Sequence, residues 1–201
     1  TLTAPNLFAS ADKPSPATAP AMLINRTIDD EYGDPYTGLL PIYNSILHRG
    51  WTQGATCQGC GINTTGSPTS QAGVVDVTRV HNGTWHDSTY HFGEVQRNVT
   101  VSFTGRAVYV FNMIANTIPY VSTVTALDFN LDGAFVDSYY HQPNSSAGIV
   151  YDVPVYVNTT LVDGPHTLVM TTAISNVSLV LFDYIIYTAE EDAEPTKQPT
   201  S

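Results

Sequence analysis

Seven Asn-x-Ser/Thr sequons occur in this chain of 201 residues, and they constrain its fold more than any other feature. The chain has only twelve Asn, so chance would give about two or three such triplets. A sequon that carries a glycan must lie on exposed backbone of a chain that enters a secretory pathway. We therefore predict a secreted or cell-surface glycoprotein with glycosylation sites at Asn25, Asn63, Asn82, Asn98, Asn144, Asn158 and Asn176.

The composition is typical of an extracellular β protein. Charged residues make up 12% of the chain and apolar residues 42%, which suits one domain with a sizeable core and few charges. The net charge is -11 and no basic run is present. This charge argues against nucleic acid and against polyanionic polysaccharides, both of which need a cationic groove. Neutral or cationic partners remain open.

The two cysteines lie three residues apart, at Cys57 and Cys60. In an oxidising compartment they are expected to pair with each other. The residues that follow, 61–66, are Gly, Asn and Thr-rich and indicate a loop rather than the helix that a redox motif would need. We predict a structural disulfide that closes a small loop.

The ends of the chain differ in composition from its middle. Residues 1–21 contain four Pro and predict an extended N-terminal segment, while residues 189–201 are acidic, then rich in Pro and Thr, and predict a disordered tail or the start of a stalk. Thr1 is expected to follow a processing boundary, and no stretch approaches the length of a membrane span. The domain is predicted at 22–188, with a long loop insert at 36–73.

Short segments of alternating or continuous apolar residues, separated by turn residues, predict an all-β fold. Asp132 and Gly133 indicate a tight hairpin between two of them. Residues 107–114 are almost continuously apolar and predict a central strand buried on both faces. The other predicted strands are 22–28, 74–80, 99–103, 123–131, 134–140, 153–157, 166–173 and 178–187. We predict an antiparallel β-sandwich or jelly roll.

The order of several short motifs along residues 22–188 carries a family resemblance. These motifs are Ile28-Asp29-Asp30, Trp51, Gly83-Thr84-Trp85-His86-Asp87, residues 101–110, Leu131-Asp132-Gly133, residues 164–170 and residues 181–185. The chain resembles the galactose-binding-domain-like sandwiches of fungal secreted and single-pass surface glycoproteins. The resemblance implies two β-sheets, with a ligand held by loops at one end or on a concave face. The insert at 36–73 departs from the simplest members.

The richest polar segment is residues 81–91, and it predicts a carbohydrate site. Sugar recognition uses an aromatic face together with planar polar side chains. The predicted site residues are Trp85, His86, Asp87, Tyr90 and His91, followed by Trp51 and Tyr140. The alternative is that Trp85 belongs to the core, His86 binds a backbone carbonyl, and Trp51 closes one end of the sandwich.

Two metal sites are weaker possibilities in this sequence. The acidic turn with Asp29, Asp30 and Asp34 could hold a structural Ca²⁺, although it lacks the alternation of an EF-hand loop. His86, Asp87 and His91, with His81, could bind a transition metal only if a turn brought them together. Apart from that possible structural calcium, we expect no cofactor.

The sequence favours a protein that binds neutral glycan or cell-wall polysaccharide without catalysing a reaction. One alternative is a glycan hydrolase or lyase that uses His86 or His91 as base with Tyr90 or Tyr140 as acid, or a pair of carboxylates. The other is an accessory subunit whose partner is a secreted protein, which would expose an apolar patch. We lean against catalysis, because the spacing of the carboxylates supports no particular pair.

Overall fold

The computed structural model describes residues 22–44, 50–65, 73–145 and 148–191 of the chain. Eleven strands occupy these ranges: β1 (Leu23–Asp29), β2 (Ile42–Tyr43), β3 (Thr52–Gln53), β4 (His86–Tyr90), β5 (Asn98–Gly105), β6 (Ala107–Ala115), β7 (Thr125–Leu131), β8 (Ala134–His141), β9 (Ile149–Asn158), β10 (Gly164–Thr172) and β11 (Ser178–Glu190). Three short 3-10 helices lie at Gly54–Thr56, Val77–Arg79 and His81–Gly83. Within these ranges no helix is long and apolar enough to cross a membrane.

The strands form two antiparallel sheets, which confirms the predicted β-sandwich. One sheet has the order β3-β4-β11-β6-β9, with β1 also paired to β11, and the other has the order β2-β5-β10-β7-β8. β6 is central and nearly continuously buried, as its apolar run predicts. The hairpin at Asp132 and Gly133 is also as predicted, with positive φ at both residues, 52° and 82°, as a type I′ turn requires.

Two apolar clusters cover the two faces of the six-stranded sheet. Val180 and Phe182 of β11 face the space between the sheets, with Phe129 and Leu168 from the other sheet. Leu179 and Leu181, which alternate with them, face outward and pack against a second cluster that contains Trp85. The loops that carry the 3-10 helices cover this second cluster.

One predicted strand is wrong and part of the predicted loop insert is ordered as strand. Residues 74–80 contain the 3-10 helix Val77–Arg79, because the Asp76 side chain accepts hydrogen bonds from the Thr78 amide and hydroxyl and so caps a turn. The insert at 36–73 supplies β2 and β3. β11 extends to Glu190, and the predicted terminal segments lie almost entirely outside the described residues.

The predicted disulfide between Cys57 and Cys60 is present. It lies beside the sequon at Asn63, whose side chain is buried, with 7% of its surface exposed. The Asn63 Nδ2 atom donates to the Cys60 carbonyl at 2.7 Å. Because Asn63 is buried, a glycan on that nitrogen would require the loop to open. Asn25, Asn82 and Asn144 are exposed and the other three sequon asparagines are half-buried.

Candidate functional sites

The second half of the predicted carbohydrate segment forms β4, and the side chains of this strand point to opposite faces of the sheet. In the register with β11, Asp87 lies opposite Leu181 and His86 lies opposite Phe182. Adjacent residues of a strand point to opposite faces, so His86 and Asp87 cannot line one surface. The polar composition of residues 81–91 gives no sign of a strand, so the sequence does not show how these side chains divide between two faces.

Trp85 and Tyr90 are core residues, which corrects their prediction as sugar contacts. Trp85 is 0% exposed and Tyr90 is 1% exposed. The Trp85 indole packs in the outer cluster, and its Nε1 atom has no hydrogen-bond partner in the described structure. A ring with no exposed face cannot stack on a sugar. The alternative interpretation, that Trp85 belongs to the core, is therefore the one that fits.

His86 faces inward, where it joins a buried network rather than an open site. Its Nδ1 atom lies 2.8 Å from Asp30 Oδ2, and its ring stacks on Tyr43 with centroids 4.0 Å apart. Trp51 packs against the same Tyr43 ring and donates from Nε1 to the Asn98 carbonyl at 3.0 Å. Trp51 is half-buried against the inter-sheet core, so it closes this part of the sandwich.

An acidic junction lies where β1 and β4 meet along the same edge of β11. β4 pairs with residues 178–182 and β1 with residues 184–190, and Asp183 occupies the bulge between them. Asp183 is fully buried and its Oδ1 atom accepts from the His81 amide, while Oδ2 has no partner in the described structure. Burial first, and then the charges of Asp30, Asp152 and Asp29, raise the Asp183 pKa to about 8.

The structure does not gather Asp29, Asp30 and Asp34 into one set of ligands. Asp34 faces away, since its carboxylate accepts hydrogen bonds from the Tyr36 amide and from the hydroxyls of Thr37 and Tyr187. Among the described residues, the one group of three potential ligands that converges is Asp30, Glu31 and His86. Its shortest contact is the His86–Asp30 hydrogen bond described above. The predicted calcium stays a prediction without a converged site, and the predicted transition-metal set is divided between two faces.

Asp87 and His91 line an open pocket at the edge of the six-stranded sheet. The pocket has a volume of about 240 Å³ and is lined by Gly50, Thr52, Asp87, Ser88, Thr89, His91, Glu94 and Arg97. Thr52 reaches the pocket because β3 pairs with β4 and places it opposite Asp87. Of the predicted site residues, these two are the ones that the structure brings to one cavity.

The Asp87 carboxylate is the unusual group in this pocket. Only 9% of the residue is exposed, and no donor among the described residues hydrogen-bonds to its side chain. Burial raises the Asp87 pKa to about 7. Arg97, the cation of the pocket, is already ion-paired with Glu94 at 2.7 Å. A buried carboxylate normally accepts hydrogen bonds from protein donors. The Asp87 carboxylate has no such donor in the described part of the chain, so it can accept a hydrogen bond from a ligand.

Tyr140 lies apart from this pocket. It is 57% exposed on β8, the edge strand of the other sheet, and its hydroxyl donates to Gln142. Sequence reasoning missed Thr52, Ser88, Thr89, Glu94 and Arg97. Glu94 and Arg97 lie three residues apart, and this spacing was a local sign of an ion pair. The pairing of β3 with β4, which brings Thr52 to the pocket, has no local sign in the sequence.

No family model matches the chain, and no curated protein matches it. Several solved structures are similar in fold. A family 35 carbohydrate binding module from Clostridium thermocellum is 12% identical with a TM-score of 0.45, over 85% of this chain and 100% of that one. The Agl-KA catalytic domain is 10% identical with a TM-score of 0.47, over 89% of this chain and 30% of that one.

A third similar structure is an exo-beta-1,3-galactanase from Phanerochaete chrysosporium. It is 22% identical with a TM-score of 0.36, over 55% of this chain and 24% of that one. The chain thus spans a minor part of both enzymes and the full length of the binding module. Identities and TM-scores are low throughout, so a function has to be argued from this chain's own residues.

Proposed function

We propose that this domain binds a neutral carbohydrate without transforming it, in the pocket around Asp87. The observation that carries the proposal is a buried carboxylate with no donor partner among the described residues, facing an open cavity. A sugar hydroxyl is a donor that can enter such a cavity and hydrogen-bond to the carboxylate without bringing a second charge into it. Hydrogen bonds to an ionised acceptor are among the stronger ones in proteins.

The rest of the pocket favours a neutral, hydroxyl-rich ligand. Thr52 and Thr89 line it with hydroxyl groups that can both donate and accept. An anionic ligand would need a cation, and Arg97 is occupied by Glu94. The chain's net charge of -11 would repel it further. His91 is exposed at the pocket wall and adds a ring nitrogen for a second hydroxyl.

We further infer that the chain acts outside the cell, on a glycan or cell-wall polysaccharide. The disulfide between Cys57 and Cys60 supports an oxidising compartment, and the excess of sequons supports passage through a secretory pathway. The three exposed sequon asparagines, Asn25, Asn82 and Asn144, lie outside the Asp87 pocket lining, so glycans there would leave its walls intact.

Asp87→Asn is expected to weaken glycan binding about tenfold or more at a pH of about 8, because it removes the charge of the acceptor. Wild-type affinity is expected to fall as the pH drops below about 7, the pKa of Asp87, and the variant should lack this part of the pH dependence. Retention on a panel of neutral polysaccharides, followed by calorimetry on the best ligand, measures both effects.

Asp137→Asn is the matched control for this experiment, since Asp137 is an exposed carboxylate on β8, away from the pocket. It should leave both affinity and pH profile unchanged. If Asp87→Asn kept the wild-type dependence of affinity on pH, the proposed site would be contradicted, even if the affinity were lower. A general loss of folding would lower the affinity without removing that pH dependence.

One observation favours glycan hydrolysis as a second candidate function. Asp87 and Glu94 line the same pocket, and glycosidases use two carboxyl groups in one cleft. A carboxyl group with a pKa of about 7 suits a general acid, and Glu94, ion-paired with Arg97, is the second carboxyl group in the pocket wall. Release of reducing ends from the same glycan panel, lost in Glu94→Gln, would favour this function. Retention without release would favour binding.

A further inference from the structure

A groove crosses the other end of the sandwich. Two cavities, of about 350 Å³ and about 310 Å³, share Thr37 and Thr104 in their walls and therefore adjoin. The first reaches the last residues of β11, including Tyr187 and Glu190. Residues of β4 that line the Asp87 pocket pair with β11 near Leu181. At about 3.3 Å per strand residue, the two sites are about 20–30 Å apart.

The turn that forms one wall of the groove is held from beneath by Asp34. This residue is 1% exposed, and its carboxylate accepts from the Tyr36 amide and from the hydroxyls of Thr37 and Tyr187. Gly38 closes the turn with a φ of 74° and a hydrogen bond to the Asp34 carbonyl. The wall is thus pre-organised, so a ligand would not have to order it.

The groove offers the two kinds of surface that sugar rings contact. Tyr36 is 55% exposed, and the guanidinium of Arg26 lies 3.2 Å from its ring centroid, so the ring is fixed in place. Leu39 and Pro165 add apolar surface farther along the groove. Ser102, Thr104 and Thr167 add hydroxyl groups to the walls of the two cavities, while the Thr37 hydroxyl donates to Asp34. An aromatic ring flanked by hydroxyls fits the apolar face and the polar rim of a pyranose.

Anionic ligands fit this groove less well. Arg26 is engaged by Tyr36, and Asp163 and Glu190 give the same cavity two carboxylates. The groove therefore favours an uncharged ligand.

We propose that this groove is a second carbohydrate site, which takes a neutral oligosaccharide across Tyr36. The class of ligand follows from the proposed function, whereas the location of the site follows from different residues. With one site at each end of β11, the domain binds two glycan segments at once. Two sites give avidity on a polysaccharide that neither site has alone.

Protein-observed NMR titration with neutral gluco-, manno-, galacto- and xylo-oligosaccharides tests the groove. We expect two separate sets of shifting amides, one around Tyr36 and Thr37 and one around Thr89 and His91. Tyr36→Ala should weaken the first set about tenfold or more and leave the second unchanged. Tyr36→Phe, which keeps the ring, should retain both.

Tyr32→Ala is the matched control, since Tyr32 is 63% exposed on the same turn region and lies outside the groove lining. Shifts confined to the Thr89 set, lost in Asp87→Asn and untouched by Tyr36→Ala, would overturn the groove and leave the proposed function standing. Shifts confined to the Tyr36 set would support the groove and overturn the Asp87 pocket. No shifts with any of the four sugar classes would overturn both.

Discussion

Asp87→Asn is expected to become progressively more stable than the wild type as the pH rises from about 4 to about 8. The reason is that the wild-type carboxyl must ionise in a buried position that has no donor among the described residues. The asparagine amide has the size of the protonated acid and never ionises, so the variant avoids this cost.

The sign follows from proton binding in the two states. Burial raises the folded-state pKa of Asp87 to about 7, from 3.8. Between these values the folded state binds more protons than the unfolded state, so stability is fully present below about pH 3.8 and is lost as the pH rises through 7. Three pKa units correspond to about 4 kcal/mol in the free energy of unfolding, as an upper limit.

Urea denaturation of both proteins at several pH values measures this difference. The wild type should lose additional stability through Asp183, whose pKa is raised in the same direction to about 8, so the variant is expected to flatten the pH dependence only in part. Asp137→Asn serves again as the exposed control. A difference between variant and wild type that does not change with pH would show that Asp87 ionises freely and is not the buried group described here.

The same protonation links stability to binding. A ligand hydroxyl that donates to Asp87 favours the ionised carboxylate and so lowers its pKa. Ligand binding therefore offsets the free-energy cost of ionising Asp87 in the pocket. This explains how a domain could retain, where a glycan would enter, a carboxylate that has no donor among the described residues, since stability is commonly sacrificed at functional sites.

Most of the fold could be predicted from local sequence patterns, because one face of most strands packs on a core. The alternating segments of β5, β7 and β10 are examples, as is the continuous apolar run of β6. β4 could not be predicted in this way. The inter-sheet network contacts one face of this strand at His86, and the other face opens to the Asp87 pocket, so polar and apolar residues do not alternate along it.

The candidate site could be predicted only in part. Asp87 and His91 attracted notice as polar residues in one short segment, and both line the pocket. Trp85 was predicted from the same segment, but it belongs to the core. The direction of a side chain depends on the strand assignment, and the polar composition of this segment did not indicate a strand. Thr52 enters the pocket through pairing of two-residue strand β3 with β4, which is a long-range contact with no local signal.

Gly54→Ala is expected to destabilise the domain by about 1–3 kcal/mol, and this effect tests the core position of Trp85. A Cβ atom at residue 54 would lie 1.9 Å from Trp85 Nε1 and 2.1 Å from Cε2. The two residues cannot simply separate, because the Gly54 amide donates to the Trp85 carbonyl at 2.7 Å. The indole, fully buried, would have to move against the outer cluster.

Gly59→Ala is the matched control, from the same segment. A Cβ atom there would meet nothing within 4 Å, so this change should alter stability by only a few tenths of a kcal/mol, since it mainly restricts the unfolded chain. Urea denaturation followed by tryptophan fluorescence compares the two variants. Equal stability of the two would mean that the indole is free to move, and Trp85 could then be reconsidered as a surface for sugars. A loss of stability in Gly54→Ala alone would show that Trp85 is fixed in the core, and carbohydrate recognition would then rest on the Asp87 pocket beside β4.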